Sequence, residues 1–357
     1  MSGKFSRIPF SSCNLSDSFF DSLKADYPEF SDWFLRKSRS GEVAYVFQNE
    51  RSAILAFMYL KKETEAIQLC SKIRPSRTRL KIGTLKLSDS IQGQRLGEGA
   101  LGNALWRWQQ SSANEIYLTI FPHHTVLMDL VTKFGFANIG KNERGEYIFL
   151  KDKSKLQLED PFKSFPYLLP NFSKAGYLPV YDDYHDKLFP YSELYRTNQE
   201  TEEVVAANGI TKIFLAFPPS ALHHKVGEPV IIYRIYTGAT GKTYKSVATS
   251  YCTLTRIVPI ISHRSKQVSQ DDFLNLTRNK TVFSQQELQD LYRQKANLTL
   301  IEMVYNGFFG KGHNVNHKAL SEAGLFSGHP YNIELTPNEF LTILQMGDKN
   351  VSDLIAN

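Results

Sequence analysis

The chain has 357 residues, 42% of them hydrophobic and 22% charged, a globular composition with enough length for more than one core. A mean hydropathy of −0.32 goes with no apolar run near the roughly 18 residues of a membrane helix. The opening MSGKFSRIPFSSCNLSDSFF has neither the apolar run nor the small-residue cleavage site of a secretory signal. Three cysteines, Cys13, Cys70 and Cys252, lie far apart, which excludes a disulfide scaffold and a zinc ribbon. The expectation is a soluble, cytoplasmic protein with no metal site. Of 42 basic and 36 acidic side chains, 23 and 16 fall in residues 1–155, so the net charge of +6 belongs to the first half.

Residues 15–40 carry Phe19, Phe20, Leu23, Tyr27, Phe30, Trp33, Phe34 and Leu35 at helical spacing, as a buried stripe. Ser16 and Asp17 are available caps, and Pro28 divides two short helices. EVAYVFQ (42–48) and SAILAFMYL (52–60), around Asn49-Glu50-Arg51, read as a hairpin. The stretch 71–81 then gathers Lys72, Arg74, Arg77, Arg79 and Lys81 around Pro75, which forbids a regular helix. These charges read either as a solvated loop or as a landing site for the phosphates of a cofactor or nucleic acid. A strand at 80–88, an amphipathic helix at 98–111, a strand at 115–121, a helix at 124–134 and a strand at 147–151 follow, an α/β or α+β alternation.

Residues 152–200 hold five prolines and many aromatics, which reads as an ordered connection with a domain boundary near 155–175. Beyond it, β-rich runs lie at 212–217, 229–237, 245–258 and 298–306. Helix signals lie around 199–208, at 284–295 and at 336–346, the last with Thr336 as N-cap and Pro337 at its first position. Several short strands with few helices suggest a small β-barrel.

The most informative segment is IGTLKLSDSIQGQRLGEGALGNALWRW (82–108), a strand running through a glycine turn into a helix. Gly97 and Gly99 let the backbone come close to a ligand, and the N–H groups and dipole of the following helix favour a pyrophosphate. GxxxxGK[ST] is absent, and no G-x-G-x-x-G falls in the dinucleotide-binding position. Gln94-Arg95-Leu96-Gly97-Glu98-Gly99 fits the form Q/R-x-x-G-x-G/A, and on these residues the chain resembles the GNAT acetyltransferase family. Leu130 and Lys133-Phe134-Gly135-Phe136 are similar to that family's late L-Y-x-x-x-G-F signature, and the resemblance covers roughly residues 5–152.

The resemblance implies an N-acetyltransferase in which an amine attacks the thioester of acetyl-CoA. The backbone of Leu85, Lys86 and Leu87 would hold the pantetheine. The amides through Ala100, with Gln94 and Lys133, would hold the pyrophosphate. The family's leaving-group tyrosine falls on Val131, its helix-starting asparagine on His124, and its strand glutamate on about Lys81. His124, His123 and Tyr59 are therefore the candidate catalytic groups, with capping, solvation and core packing as the alternatives. Glu63 and Glu65 read either as bases acting through water or as solvated carboxylates.

In the second half, His223-His224 and the pair His313 and His317 lack the partners of a metal set. Val226-Gly-Glu-Pro-Val-Ile-Ile-Tyr-Arg234, followed by YKSVATSYCTLTRIV, is similar to strands of PUA-like barrels of the ASCH and EVE type, over roughly 175–346. That resemblance implies a cleft for RNA or a modified base, with Tyr233, Arg234, Tyr236, Lys245 and Ser246 at its edge.

The expected architecture is an α/β (α+β) GNAT fold with a mixed, splayed central sheet over residues 1–155. A connection over 156–180 follows, then a PUA-like small β-barrel with peripheral helices over 181–350. The expected function is acetyl-CoA-dependent N-acetylation of an amine on a nucleic-acid-associated substrate: tRNA, aminoacyl-tRNA or a modified base. RNA is the favoured partner, no membrane is expected, and a homo-oligomer stays open. A small-molecule or protein amine, or an inactive acyl-CoA-binding protein, are the alternatives.

Overall fold

The apolar runs of the first half become one seven-stranded sheet and those of the second half one eight-stranded sheet, both mixed, in a mixed α/β protein. The computed structural model describes residues 5–49, 51–88, 93–192, 194, 205–218 and 222–356. They form two compact units, residues 3–132 with 136–153, and 133–135 with 154–357. No helix among the described residues is long and apolar enough to cross a membrane.

The first unit opens with β1 (Ser6–Pro9), α1 (Asp21–Asp26) and α2 (Phe30–Arg39). The hairpin expected around Asn49 is β2 (Val43–Gln48) and β3 (Ile54–Glu63), paired antiparallel. Then come the short β4 (Ile67–Gln68) and β5 (Ile73–Arg74), β6 (Arg79–Leu87) and α3 (Leu96–Gln109). The unit ends with β7 (Glu115–Ile120), α4 (Thr125–Lys133), β8 (Ala137–Lys141) and β9 (Tyr147–Asp152). The strand order is β1-β2-β3-β6-β7-β9-β8, and β6 with β7 is its one parallel pair among the described residues.

Phe30 and Phe34 of α2, with Phe10 and Phe20 from the segment ahead of α1, pack against Ala44 and Val46 of β2 and Phe57 of β3. Leu35, expected in the buried stripe, is 43% exposed because it lies one position off that face. The helix expected to be amphipathic, α3, is instead buried along most of its length, Asn103 and Gln109 included.

The second unit begins with α5 (Pro161–Ser164), β10 (Ala175–Tyr181), α6 (Asp182–Leu188), α7 (Val205–Asn208), β11 (Thr211–Ala216) and β12 (Pro229–Ile235). The part of the helix expected around 199–208 that precedes Val205 lies outside the described residues. Next are α8 (Lys242–Lys245), β13 (Val247–Ser262), β14 (Ser265–Lys266), α9 (Gln270–Thr277), α10 (Gln285–Arg293) and β15 (Leu298–Phe308). Last come β16 (Val315–Asn316), α11 (His317–Glu322), β17 (Glu334–Leu335) and α12 (Pro337–Met346).

The main path is β11-β15-β13-β12-β10-β17, with β14 and β16 also paired to β13. The 16-residue β13 shifts register against β15 at three places, which bends it and lets it reach four partners. Both α10 and α12 start with reciprocal capping boxes, Ser284 with Glu287 and Thr336 with Glu339.

Candidate functional site

The parallel pairing of β6 and β7 stops early. It covers Arg79–Ile82 against Glu115–Leu118 and goes no further. Yet β6 continues to Leu87, held by β3 down to the pair Leu87 and Ala56, while β7 runs on to Ile120 held by β9. The two strands therefore part beyond Ile82, and the edge of β6 that faced β7 carries backbone groups with no strand partner among the described residues. The bend has a local cause: Gly83 is an extra residue in β6, opposite the step from Tyr59 to Leu60. A Cβ on Gly83 would stand 3.1 Å from the Tyr59 ring.

A cavity of about 450 Å³ opens at this parting. Ile82 to Leu85 and Leu118 to Phe121 line the two strand ends, and Tyr27, Phe30, Trp33 and Lys37 line the wall from α1 and α2. Leu85, Lys86 and Leu87 are all half-buried on β6. Past β6, residues 89–92 lie outside the described residues, and the chain resumes at Gly93.

Arg95 takes a left-handed conformation, φ +59°, and α3 begins at Leu96. Gln94 therefore precedes the helix, while Leu96, Gly97, Glu98 and Gly99 make its first turn, and the Gly99 N–H donates to the Arg95 carbonyl at 3.1 Å. Ala100 is buried just beyond. The Arg95 guanidinium holds both oxygens of Glu98 at 3.0 Å, which offsets a carboxylate at the positive end of the helix. Gly97 is the point of closest approach: a Cβ there would lie 3.0 Å from the Leu87 side chain and 3.5 Å from Leu130. The start of α3 is thus stacked on the end of β6. Lys133 closes α4, its ammonium 5.3 Å from the centroid of the Phe134 ring, and Val131 is fully buried.

Titratable groups ring the cavity. His124 ends the turn after β7, where its N–H donates to the Phe121 carbonyl at 3.0 Å. Burial pushes its pKa below the usual imidazole value, and His123 adds to this, while Asp26, 3.9 Å away, works in the opposite direction. The His123 and His124 ring centroids are 4.0 Å apart. Tyr59 is 3% exposed, with the Lys37 ammonium 4.9 Å from its ring centroid. Burial raises the Tyr59 pKa although Lys37 pulls against it, so the phenol stays protonated at neutral pH. Glu63 accepts from the Tyr117 hydroxyl and pairs with Lys61 at 3.0 Å; Glu65 pairs with Lys61 at 3.1 Å on the exposed side.

One cluster was not read from the sequence. The buried Glu146 carboxylate accepts from Tyr27 at 2.7 Å, Thr119 at 3.0 Å and Asn142 at 2.7 Å. Its members are up to 119 residues apart, and no local pattern announces it.

The basic segment at 72–81 departs from a phosphate landing site. Arg79 is fully buried and shares the buried Glu115 carboxylate with Arg74; it also donates to the carbonyls of Glu65 (2.9 Å) and Pro75 (2.7 Å). Arg77 Nη1 lies 3.8 Å from the same carboxylate, with the side chain 63% exposed. Lys81 lines the cavity, over the Tyr117 ring, and Lys72 is exposed. Arg74 and Arg79 are thus taken up by internal pairing, because the register sets Arg79 opposite Glu115.

The residues expected at a cleft edge in the second unit divide as well. Tyr233 is a core residue, 4.7 Å from Phe326 and 6.0 Å from Tyr177 between ring centroids, because every residue from Val230 to Tyr233 is buried. Arg234 is buried and spans both Asp186 oxygens at 2.9 and 2.8 Å. Buried Ser246 accepts from the Tyr236 N–H at 3.0 Å. Tyr236 and exposed Lys245 do line a cavity of about 400 Å³, together with Arg234, Tyr244, Asn314 and Asn316. A second cavity, about 640 Å³, presents Tyr181, Tyr184, Phe217, Phe283, His329 and Tyr331. The sequence reading missed it because these rings come from separate segments.

His185 reaches Asp186 through Nδ1 and Thr249 Oγ1 through Nε2, each at 2.8 Å, a relay-like arrangement. Thr249 is fully buried, so no substrate reaches its hydroxyl.

No protein-family model and no curated protein matches the chain. Among solved structures, it is similar to a GNAT-family acetyltransferase from Listeria monocytogenes (17% identity, 42% of this chain and 94% of that one, TM-score 0.31). It is also similar to Arabidopsis thaliana NAA60 in complex with acetyl-CoA (13%, 42% and 99%, TM-score 0.30). A third is ZmASCH from Zymomonas mobilis (12%, 49% and 96%, TM-score 0.31).

Proposed function

We propose that the first unit is an acyl-CoA-dependent N-acyltransferase of GNAT type, with acetyl-CoA as donor. The observation that carries this reading is the parting of β6 from β7. It leaves a strand edge over residues 83–87 with no strand partner among the described residues, a cavity at its inner end and the start of α3 stacked on its outer end at Leu87. An extended pantetheine arm with amide groups suits the free edge, as an added strand would. The thioester then lies in the cavity and the pyrophosphate at the first turn of α3, among Gln94 to Ala100.

In the reaction a neutral amine attacks the thioester carbonyl, the C–S bond breaks, and one proton passes from nitrogen to the departing sulfur. His124, kept neutral by its lowered pKa, takes the proton from the amine. Tyr59, kept protonated, is the donor to the thiolate in place of a group at Val131. His123 supports His124 by disfavouring its protonated form.

The second unit is proposed as an ASCH-type recognition module that presents an amine carried by RNA. Tyr236 and Lys245 at the cavity beside Arg234 are the contacts of choice, with aromatic stacking as the mode. One observation favours a second reading, a small cationic amine: Asp26 and Glu29 both line the first unit's cavity.

The test is transfer of labelled acetyl groups from acetyl-CoA into free tRNA, aminoacyl-tRNA and a panel of small amines, with Gly97→Glu as the blank. Incorporation into aminoacyl-tRNA that the variant abolishes supports the RNA reading. Incorporation into small amines alone removes it. Absence of acetyl-CoA binding by the unmodified chain overturns the acyltransferase itself.

A further inference from the structure

Asp26, His123 and His124 each offer one ligand atom, and these atoms lie within 4.8 Å of one another. They come from two elements: Asp26 ends α1, and the histidines form the turn between β7 and α4. Adjacent histidines on a strand or helix would point apart, but the tight turn closed on Phe121 sets their rings 4.0 Å apart.

From this convergence we infer a binding site for a first-row divalent ion, Zn²⁺ above all, at the mouth of the β6–β7 cavity. Two imidazoles and one carboxylate suit Zn²⁺, which binds such groups at about 2.0–2.2 Å and leaves a fourth position open in three-ligand sites. Ligands at that range stand about 3.4 Å from one another around a tetrahedral ion. The Asp26–His124 separation of 3.9 Å needs a contraction of about 0.5 Å, and the widest spacing the cluster allows, 4.8 Å, needs about 1.4 Å. Exposed histidine side chains and a half-buried Asp26 have room for it. Asp26 and His124 also line the cavity, so an ion held by them would stand at its wall.

One nearby charge opposes the ion. Lys86 acts on His124 from β6, while Asp26 supplies the single negative charge of the cluster. The ion and the proton compete for the same His124 lone pair, so a loaded site removes His124 as a base. The site itself stands on the convergence of its ligands. Only this consequence for turnover rests on the acyltransferase reading.

The experiment is competition for Zn²⁺ between the tag-free full chain and a chromophoric chelator, with Co²⁺ as a spectroscopic substitute. The expected result is one Zn²⁺ per chain and a four-coordinate Co²⁺ visible spectrum. Asp26→Asn and His123→Ala should each weaken binding about tenfold or more, since even outer-shell changes cost about that much. Lys86→Met should tighten it. Circular dichroism confirms that these variants, altered at exposed or half-buried positions, remain folded. Acetyl-CoA binding on the same samples separates the two readings, because it can fail while Zn²⁺ binding holds. The inference is overturned if the chain holds no Zn²⁺ against the chelator, or if both ligand variants bind as the unmodified chain does.

Discussion

Replacing Arg79 by methionine is expected to destabilise the first unit severely, although the residue sits in a run that reads as surface charge. Its guanidinium is fully buried and holds Glu115, which is also fully buried, along with the carbonyls of Glu65 and Pro75. Arg74, the other strong partner of Glu115, is 27% exposed and approaches Asp152 only at 3.9 Å. Removing Arg79 leaves a buried carboxylate half-neutralised and two carbonyls without a donor. Breaking a buried ion pair from one side costs about 3–5 kcal/mol. At roughly 2–4 °C per kcal/mol, that lowers Tm by about 6–20 °C.

Thermal and urea unfolding followed by circular dichroism measure this directly. Arg79→Met with Glu115→Leu should recover much of the loss, because a buried pair replaced by apolar groups of similar size is often close to neutral. Lys72→Ala and Arg77→Ala, at exposed positions, should change stability by no more than about 0.5 kcal/mol. A loss below about 1 kcal/mol in Arg79→Met would refute the structural role and return Arg79 to the surface. The same pairing works against burial to hold the Glu115 carboxyl below its usual range. Its stabilising share is therefore present above the ordinary carboxyl pKa and is lost as pH falls through the depressed folded value.

His124→Ala should lower kcat by about 10²–10⁴-fold while acetyl-CoA binding persists, and it should erase an acid limb lying below the ordinary imidazole pKa; a pH–rate profile of both proteins decides it. Thr336→Ala, which removes the capping box of α12, should cost about 1 kcal/mol in urea unfolding, and Ser284→Ala should do the same for α10. Burial pushes His224 down to about 4, with His223 and Lys174 adding to the effect and the Tyr177 carbonyl and Glu334 opposing it. Unfolded chains then take up a proton that the folded second unit refuses. Its stability should fall by about 3 kcal/mol as pH drops from about 6.5 to about 4. His224→Gln should flatten that part of the pH–stability curve.

What the sequence disclosed was local, and what it hid was set by register and distance. Ser284 with Glu287 and Thr336 with Glu339 stand three residues apart, so both helix starts were legible. Gly97 and Gly99, read as a turn ahead of the helix, lie instead within the first turn of α3. In contrast, Pro179 falls in the stretch that reads as a connection, yet it lies within β10, opposite Tyr233 of β12 and beyond Ala175 and Gly176, which pair with β17. Tyr233 could not be placed because β12 is buried on both faces from Pro229 to Arg234, so no alternation distinguishes cleft from core. Asp26 and His124 meet across 98 positions, and Arg79 and Glu115 across 36.

The charge reading failed for that last reason. The task of a guanidinium is set by the nearest carboxylate in space, not by its neighbours in the chain. Of the five cations in the basic segment, Arg74 and Arg79 are held inside, and Lys81 faces the cavity. Lys72 and Arg77 alone of the five are exposed to a polyanion. Two such charges give a weak, salt-sensitive contact, since affinity for a phosphate backbone scales with the number of phosphates neutralised. If the acceptor is carried by RNA, the second unit must therefore do most of the holding. Mutating Lys245 and Tyr236 should then reduce transfer to RNA far more than removing Lys72 and Arg77 together.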